Sequence, residues 1–517
     1  MEYEGSLSMP RVLKTLRDEQ RILVEKAAGL VLEVVRSFQS ERFRSEEEAL
    51  AFALSEVGQV ATRKLLEAYV GPEPERAKVD GVVYRRVLEN ASARIQTPFG
   101  LISIRRARYR REGERGIKGA TTIGLLEKRA GLLDGMTPRM AELTTSFDAS
   151  VPSRESERLM DLAGLSGPRR AGLEKKAGRI GSELMANIDE RFEQARALQS
   201  LPEGAATLTI GMDRVSVPYE EANPGGQKSE RTRQLRTKKP YKRKEPEPIV
   251  RVFHGDFVGN VSIRDQYGEL IQSYTYGLSH TENPSRMADW LVGDVVAALR
   301  QCPNLAISVC QDGARELWPT LWEALKRAPE LQEVSVQACV DFHHFIPRVR
   351  TVVTLLWDEE AFLKWKRRIL DEPGAVFDLE EAILQEGQQR LAQQELSGEQ
   401  LDAIHHFQTY IEERVRKDGR EDRRAELFDY AQLRSAGLPI GSGTVEACAK
   451  SLASVRMKRS GCRWSESGAS ATLLCRGITL SVGRWELIWP EFADSKVANV
   501  IPLNSVNDNP RPRQRAA

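Results

Sequence analysis

Three acidic residues, Asp213, Asp312 and Glu446, stand in settings that suit phosphoryl-transfer chemistry. Asp213 closes the apolar run TLTIGMD. Asp312 follows the apolar run LAISVC in CQDGARELW. Glu446 lies one turn into the helix opened by IGSGTVEACAK. Taken singly, each has a plainer reading: a strand-end turn residue, the cap of a helix near Ala314, or a surface partner of Lys450 at i+4. As a set they differ, because clustered carboxylates repel one another and need cations to neutralise them. Hard oxygen donors suit Mg2+, with Mn2+ as a substitute. Two such ions roughly 4 Å apart activate a water and stabilise the leaving oxygen of a phosphodiester.

The elements that must position these acids follow from the apolar pattern. From Ala205 the chain predicts three strands (TLTIGMDRVSV, RVFHGDFVGNVSI and LIQSYTYG), the helix PSRMADWLVGDVVAALRQ, the strand LAISVC, the helix ARELWPTLWEALKRA and the strand VSVQACV. That order is the connectivity of an RNase H-like core: a meander of three strands followed by right-handed crossovers to parallel ones. The first and fourth strands are then neighbours, and the helix bearing Glu446 packs beside them. The expected fold class is α/β, with this core interrupted by an all-helical insertion and preceded by a mainly helical N-terminal DNA-binding region.

The organisation predicted along the chain is a helical N-terminal region over 1–94, with apolar helical spacing from Val12 to Phe38 and a second helix from Ser45. Residues 95–204 form a strand, TPFGLISIRRARYRR, and a helix-turn-helix-like DNA-binding region broken at Gly164–Pro168; a plain helical hairpin fits that break equally well. The first part of the core covers 205–344, the helical insertion 345–439, the last part of the core 440–492 and a disordered tail 493–517. Residues 228–244, KSERTRQLRTKKPYKRK, hold nine Lys/Arg against one Glu and read as a mobile loop.

Composition sets the outer bounds. At 517 residues the chain is too long for one simple core. Its 41% hydrophobic and 29% charged residues are ordinary for a globular protein, and the net charge of +2 leaves the clustering of basic residues as the informative feature. No apolar run reaches membrane-spanning length, and MEYEGSLSMPRVLKTLRDEQ lacks the apolar segment of a secretory signal. Six cysteines, none in a C-x-x-C pair, support neither a zinc ribbon nor a disulfide framework. The expected location is the cytoplasm, in association with the nucleoid.

IGSGTVEACAKSLASVRMKRSGCRWSESGASATLLCRG resembles the DDE transposases of bacterial insertion sequences, in the Kra-type branch of the Mutator-like superfamily. Gly441, Ser442, Gly443, Glu446, Arg456, Lys458, Gly461 and Trp464 match that pattern, Asp312 in SVCQDGARELW matches a second block, and VDFHHF a third. Within VDFHHF, Asp341 and His344 fit the family spacing, with Cys339 and His343 as a less regular alternative. The resemblance implies catalytic and metal-holding roles for Asp213, Asp312 and Glu446 and supporting roles for Asp341 and His344. It implies cleavage of terminal inverted repeats and joining of the 3′-OH to target DNA, with a homo-oligomer assembling on DNA and no membrane partner. Lys238, Lys239, Lys242, Arg243, Lys244, Arg456, Lys458, Arg459 and Trp464 are the expected DNA contacts, joined by the arginines of RRARYRR. An RNase H-like nuclease or resolvase without strand transfer, and a domesticated DNA-binding protein with a dead site, share these features and stay open at this point.

Overall fold

The computed structural model of the chain describes residues 43–114, 121–223, 248–312, 316–416 and 427–503. The expected helix up to Phe38, the basic segment with Lys238, Lys239, Lys242, Arg243 and Lys244, and the last residues of the tail lie outside them. Two compact units divide the chain: one holds 1–144, 153–176 and 493–517, the other 145–152 and 177–492.

The first unit contains α1 (Phe43–Val70), β1 (Arg76–Val79), β2 (Val82–Thr97), β3 (Gly100–Arg111), β4 (Thr122–Ile123) and α2 (Leu125–Arg129). It shares α3 (Pro138–Ser150) and α5 (Arg170–Met185) with the second unit, and α4 (Ser153–Leu162) is its own. β10 (Val500–Leu503), from the far end of the chain, completes an antiparallel sheet in the order β10-β1-β2-β3-β4. This corrects two expectations. Residues 1–94 are not wholly helical, because RAKV and VVYRRV pair as a hairpin around Asp80–Gly81, both with positive φ. The tail is not wholly disordered, because VIPL pairs with β1. One face of the sheet is the core: Ala93, Ile95, Ile102 and Ile104 pack with Leu66 of α1 and Leu126 of α2.

The second unit begins with α6 (Ile188–Leu198) and is built on β5 (Thr207–Ala222), β6 (Ile249–Arg264), β7 (Leu270–Leu278), α7 (Pro284–Gln301), β8 (Ala306–Gln311), α8 (Leu317–Arg327) and β9 (Val336–Val340). Its sheet runs β7-β6-β5-β8-β9, with β6 antiparallel to β5 and β7, and β8 and β9 parallel to β5. β5 is longer than the sequence suggests. Asp213 is not at its end, because β6 pairs with it as far as Ala222↔Ile249. After β9 come α9 (Phe342–Leu356), α10 (Glu359–Asp371), α11 (Ala375–Ala392), α12 (Gly398–Arg416) and α13 (Tyr430–Ser435). Phe345 anchors this helical stretch, its ring lying against Phe407, Tyr410, Phe428 and Tyr430. The chain then returns to the sheet through α14 (Gly443–Ala449), α15 (Glu466–Leu480) and α16 (Arg484–Asp494).

A buried ionic group fastens the back of this unit. Asp294 on α7 accepts from Arg196 of α6 at 3.0 Å and from Arg484 of α16 at 2.5 Å, and Tyr276 donates its hydroxyl to the same carboxylate at 2.6 Å. Burial alone would push the Asp294 carboxyl up. The Arg484 and Arg196 charges and the Tyr276 hydroxyl outweigh it and hold the group below its usual range.

Candidate active site

The ladder between β5 and β8 pairs Thr207 with Ala306 and ends at Ile210↔Val309. Asp213 and Asp312 each lie three residues beyond that last pair, so they occupy matching positions on neighbouring parallel strands. The next ladder, between β8 and β9, ends at Gln311↔Val340, which sets Asp341 level with Asp312. Its backbone N–H donates to the Gln311 carbonyl at 2.8 Å. Three aspartates thus stand in one row across three neighbouring parallel strands, Asp312 and Asp341 just past the carboxyl ends of β8 and β9, where sites form in sheets of this kind, and Asp213 within β5.

Side-chain alternation decides which face they use. Asp213 shares its face of β5 with Val215, Val217 and Tyr219, which pack against Cys448, Ala449 and Leu452. Gly211 is on that face too. A Cβ there would sit 2.7 Å from Val445 Cγ2 and 2.5 Å from the Cys310 carbonyl oxygen. The missing side chain lets α14 lie directly on β5, which brings Glu446, the residue after Val445, toward Asp213. Past Ala449 the helix continues as a π-helical turn, Lys450–Ser454, a feature often found at functional sites.

Electrostatics ties the acids together. Burial, reinforced by the neighbouring Asp312 and Glu446 carboxylates, pushes the Asp213 carboxyl above its usual range, against the Arg214 N–H that donates to it at 2.6 Å and the nearby His344. Asp312 is held from behind: Trp318 on α8 donates its indole N–H to the Asp312 carbonyl at 3.0 Å. His344 Nε2 lies 2.9 Å from Glu446 Oε1. Burial disfavours the charged imidazole, yet the Glu446 hydrogen bond and the surrounding acids outweigh it and raise the His344 pKa.

Asp341, His344 and Glu446 bring one ligand-type atom each to within 4.8 Å of one another. Asp341 has another occupation. It is 1% exposed and caps α9, accepting from the N–H groups of His343 at 2.5 Å and His344 at 3.2 Å. Its second oxygen accepts from the Ser442 N–H at 2.6 Å and from the Ser442 hydroxyl. Four donors fill the acceptor sites of a carboxylate, so Asp341 is a clamp between the start of α9, which carries His344, and the turn before α14, which carries Glu446. Gly441 fits the same junction, where a Cβ would meet His343 Cδ2 at 2.8 Å. His343 itself bears no bond to Glu446, and Cys339 faces the Pro439 carbonyl.

The expected DNA contacts divide. Lys458 and Arg459 are exposed beside the helix of Glu446. Arg456 is corrected: it is 4% exposed, donates through Nε to the Asp148 carbonyl at 2.9 Å and stacks over Trp464. Trp464 packs on the core and donates to the Met457 carbonyl at 3.0 Å. Both stabilise the segment that follows α14. Of the arginines in RRARYRR, Arg106 is buried on Glu127 and Arg105 is exposed.

The residues fit a hard divalent cation by their donor chemistry: carboxylate oxygens of Asp213, Asp312 and Glu446, with burial first and then the Asp312 and Glu446 charges disfavouring ionisation of Asp213. Comparison of the chain with protein-family models, with curated proteins and with solved structures finds no match.

Proposed function

We propose that the chain is a DDE-type DNA transposase that cleaves the ends of its insertion element and joins the freed 3′-OH to target DNA by metal-dependent phosphoryl transfer. The matching positions of Asp213 and Asp312 on adjacent parallel strands, beneath the helix of Glu446, carry the reading. The sheet order β7-β6-β5-β8-β9 and the helices between β9 and α14 support an RNase H-like core with a helical insertion.

In this reading Asp213, Asp312 and Glu446 hold Mg2+ or Mn2+. The cations, when bound, stabilise the charge that develops on the phosphoryl group during in-line displacement. The chain's own residues do the positioning. Gly211 lets Glu446 approach Asp213, His344 fixes the Glu446 carboxylate, and Asp341 holds His344 and Glu446 at a set spacing. Lys458, Arg459 and the basic segment 228–244 neutralise DNA phosphates. Two element ends must be paired, so the working form is a homo-oligomer on DNA, in the cytoplasm with the nucleoid.

The test uses the purified full chain, labelled DNA bearing the flanking element end, and Mg2+ or Mn2+. Wild type is expected to nick at the end and to join a pre-cut end to target DNA. Asp213→Asn, Asp312→Asn and Glu446→Gln are each expected to abolish nicking and keep binding. Nicking without joining would make the chain an RNase H-like nuclease or resolvase. Binding with no cleavage in either metal would make it a non-catalytic DNA-binding protein.

A further inference from the structure

The sheet of the first unit has one apolar face and one open face, and the open face is basic. The ladders β1–β2 and β2–β3 pair Arg76 with Arg85 and Arg85 with Arg110. Three arginines therefore stand directly opposite one another on three adjacent strands. Directly opposed like charges destabilise a sheet. Arg76 reaches out to Glu112 at 2.8 Å and Arg85 to Glu75 at 3.2 Å, but both pairs are exposed, and exposed pairs contribute little. The Nε of Arg110 is buried without a hydrogen-bond partner. Lys78 extends this row on β1, and further along the hairpin Arg94 and Arg105 are exposed on the face opposite Ile95, Ile102 and Ile104.

A row that costs folding stability, on strands whose one acid, Glu89, is turned to Arg86, is suited to an external polyanion. Arg85 pairs with Arg110 and Arg94 with Ser103, seven residues apart along β3, about 23 Å at ~3.3 Å each. Across the strands, three arginines cover about 10 Å at ~4.8 Å spacing. We infer that the open face of this sheet is a docking surface for the phosphate backbone of duplex DNA, separate from the carboxylate site and indifferent to base sequence. The inference rests on DNA being the partner, not on the chain cutting it.

The experiment measures binding of the full chain to duplexes of unrelated sequence, without divalent metal, as a function of salt. The double variant Arg85→Gln/Arg110→Gln is expected to bind all duplexes more weakly and to show a salt slope shallower by about one per lost phosphate contact. Arg85→Lys/Arg110→Lys, which keeps the charges, is expected to restore both. Melting temperatures of the variants separate a folding defect from a binding defect. Unchanged affinity and slope in the folded glutamine variant would overturn the inference, as would stronger binding to vesicles of anionic lipid than to DNA. If wild type binds but never cuts, the transposase reading fails while this one stands; if the glutamine variant binds normally and the chain cuts, the reverse holds.

Discussion

Asp213 and Asp312 are brought level by the parallel ladder of β5 and β8, each three residues beyond the pair Ile210↔Val309. Nothing in either residue's local sequence sets this spacing; it comes from strand register and from α14 resting on Gly211. Gly211→Ala is the direct test of that packing. The added methyl meets a backbone carbonyl at 2.5 Å, which cannot yield as a side-chain tip can, so the shift falls on Val445 and on α14. We expect a stability loss of about 1–3 kcal/mol, as for other overpacked cores. End cleavage should fall by more than the loss of folded protein accounts for. Wild-type melting together with wild-type cleavage would remove Gly211 from the argument.

The bond between His344 and Glu446 leads to a second expectation. Both side chains are about half exposed, so the pair adds little to stability. Its value lies in orienting a carboxylate that would hold a cation. Loss of such outer partners lowers metal affinity or activity by about 10- to 100-fold. His344→Ala should therefore raise the Mn2+ concentration giving half-maximal cleavage by that factor, with the melting temperature and metal-free DNA binding unchanged. An unaltered Mn2+ dependence would show that His344 serves only the start of α9.

Asp341 separates clamp from ligand. Asp341→Ala leaves the buried Ser442 N–H and the part-buried His343 N–H without their acceptor, and hydrogen bonds to a charged group contribute about 1.5–3 kcal/mol each. The variant should melt well below wild type without any metal present. If it instead melts as wild type in the absence of metal and loses only metal-dependent stabilisation, Asp341 is a ligand.

Much of this site was legible in the sequence. Buried parallel strands read as continuous apolar runs, so LAISVC stood out and pointed to Asp312 after it, whereas Asp341 was picked out through the resemblance of VDFHHF. Glu446 was legible through its Gly-Ser-Gly turn. Gly211 and Trp318 were not, because their roles depend on contacts across the sheet that no local pattern encodes. Arg456 misled for a related reason: an arginine beside a candidate site looks solvent-facing until the Asp148 carbonyl, far off in the chain, is seen to take its Nε. In the first unit, β1 and β2 were hidden because strands with one open basic face alternate Arg and apolar residues too irregularly to contrast with a charged helix. β10 has only four residues and finds its partner across more than four hundred positions.

The buried group around Asp294 carries a prediction with a defined pH window. The folded carboxyl is held below its usual value of about 3.9. A lowered carboxylate pKa gives stability that is fully present above the unfolded value, about pH 4, and is lost as the pH falls through the folded one. Asp294→Asn leaves Arg484, almost fully buried, without its counter-charge and Arg196 with only the exposed Glu193. Breaking a buried pair this way costs about 3–5 kcal/mol. Urea melts should show that deficit undiminished from pH 7 to pH 5. It should then shrink below about pH 4, where the unfolded chain takes up the proton that the folded carboxyl still refuses. A deficit that already shrinks between pH 7 and pH 5 would mean that the Asp294 carboxyl is raised, and that burial rather than the two arginines governs it.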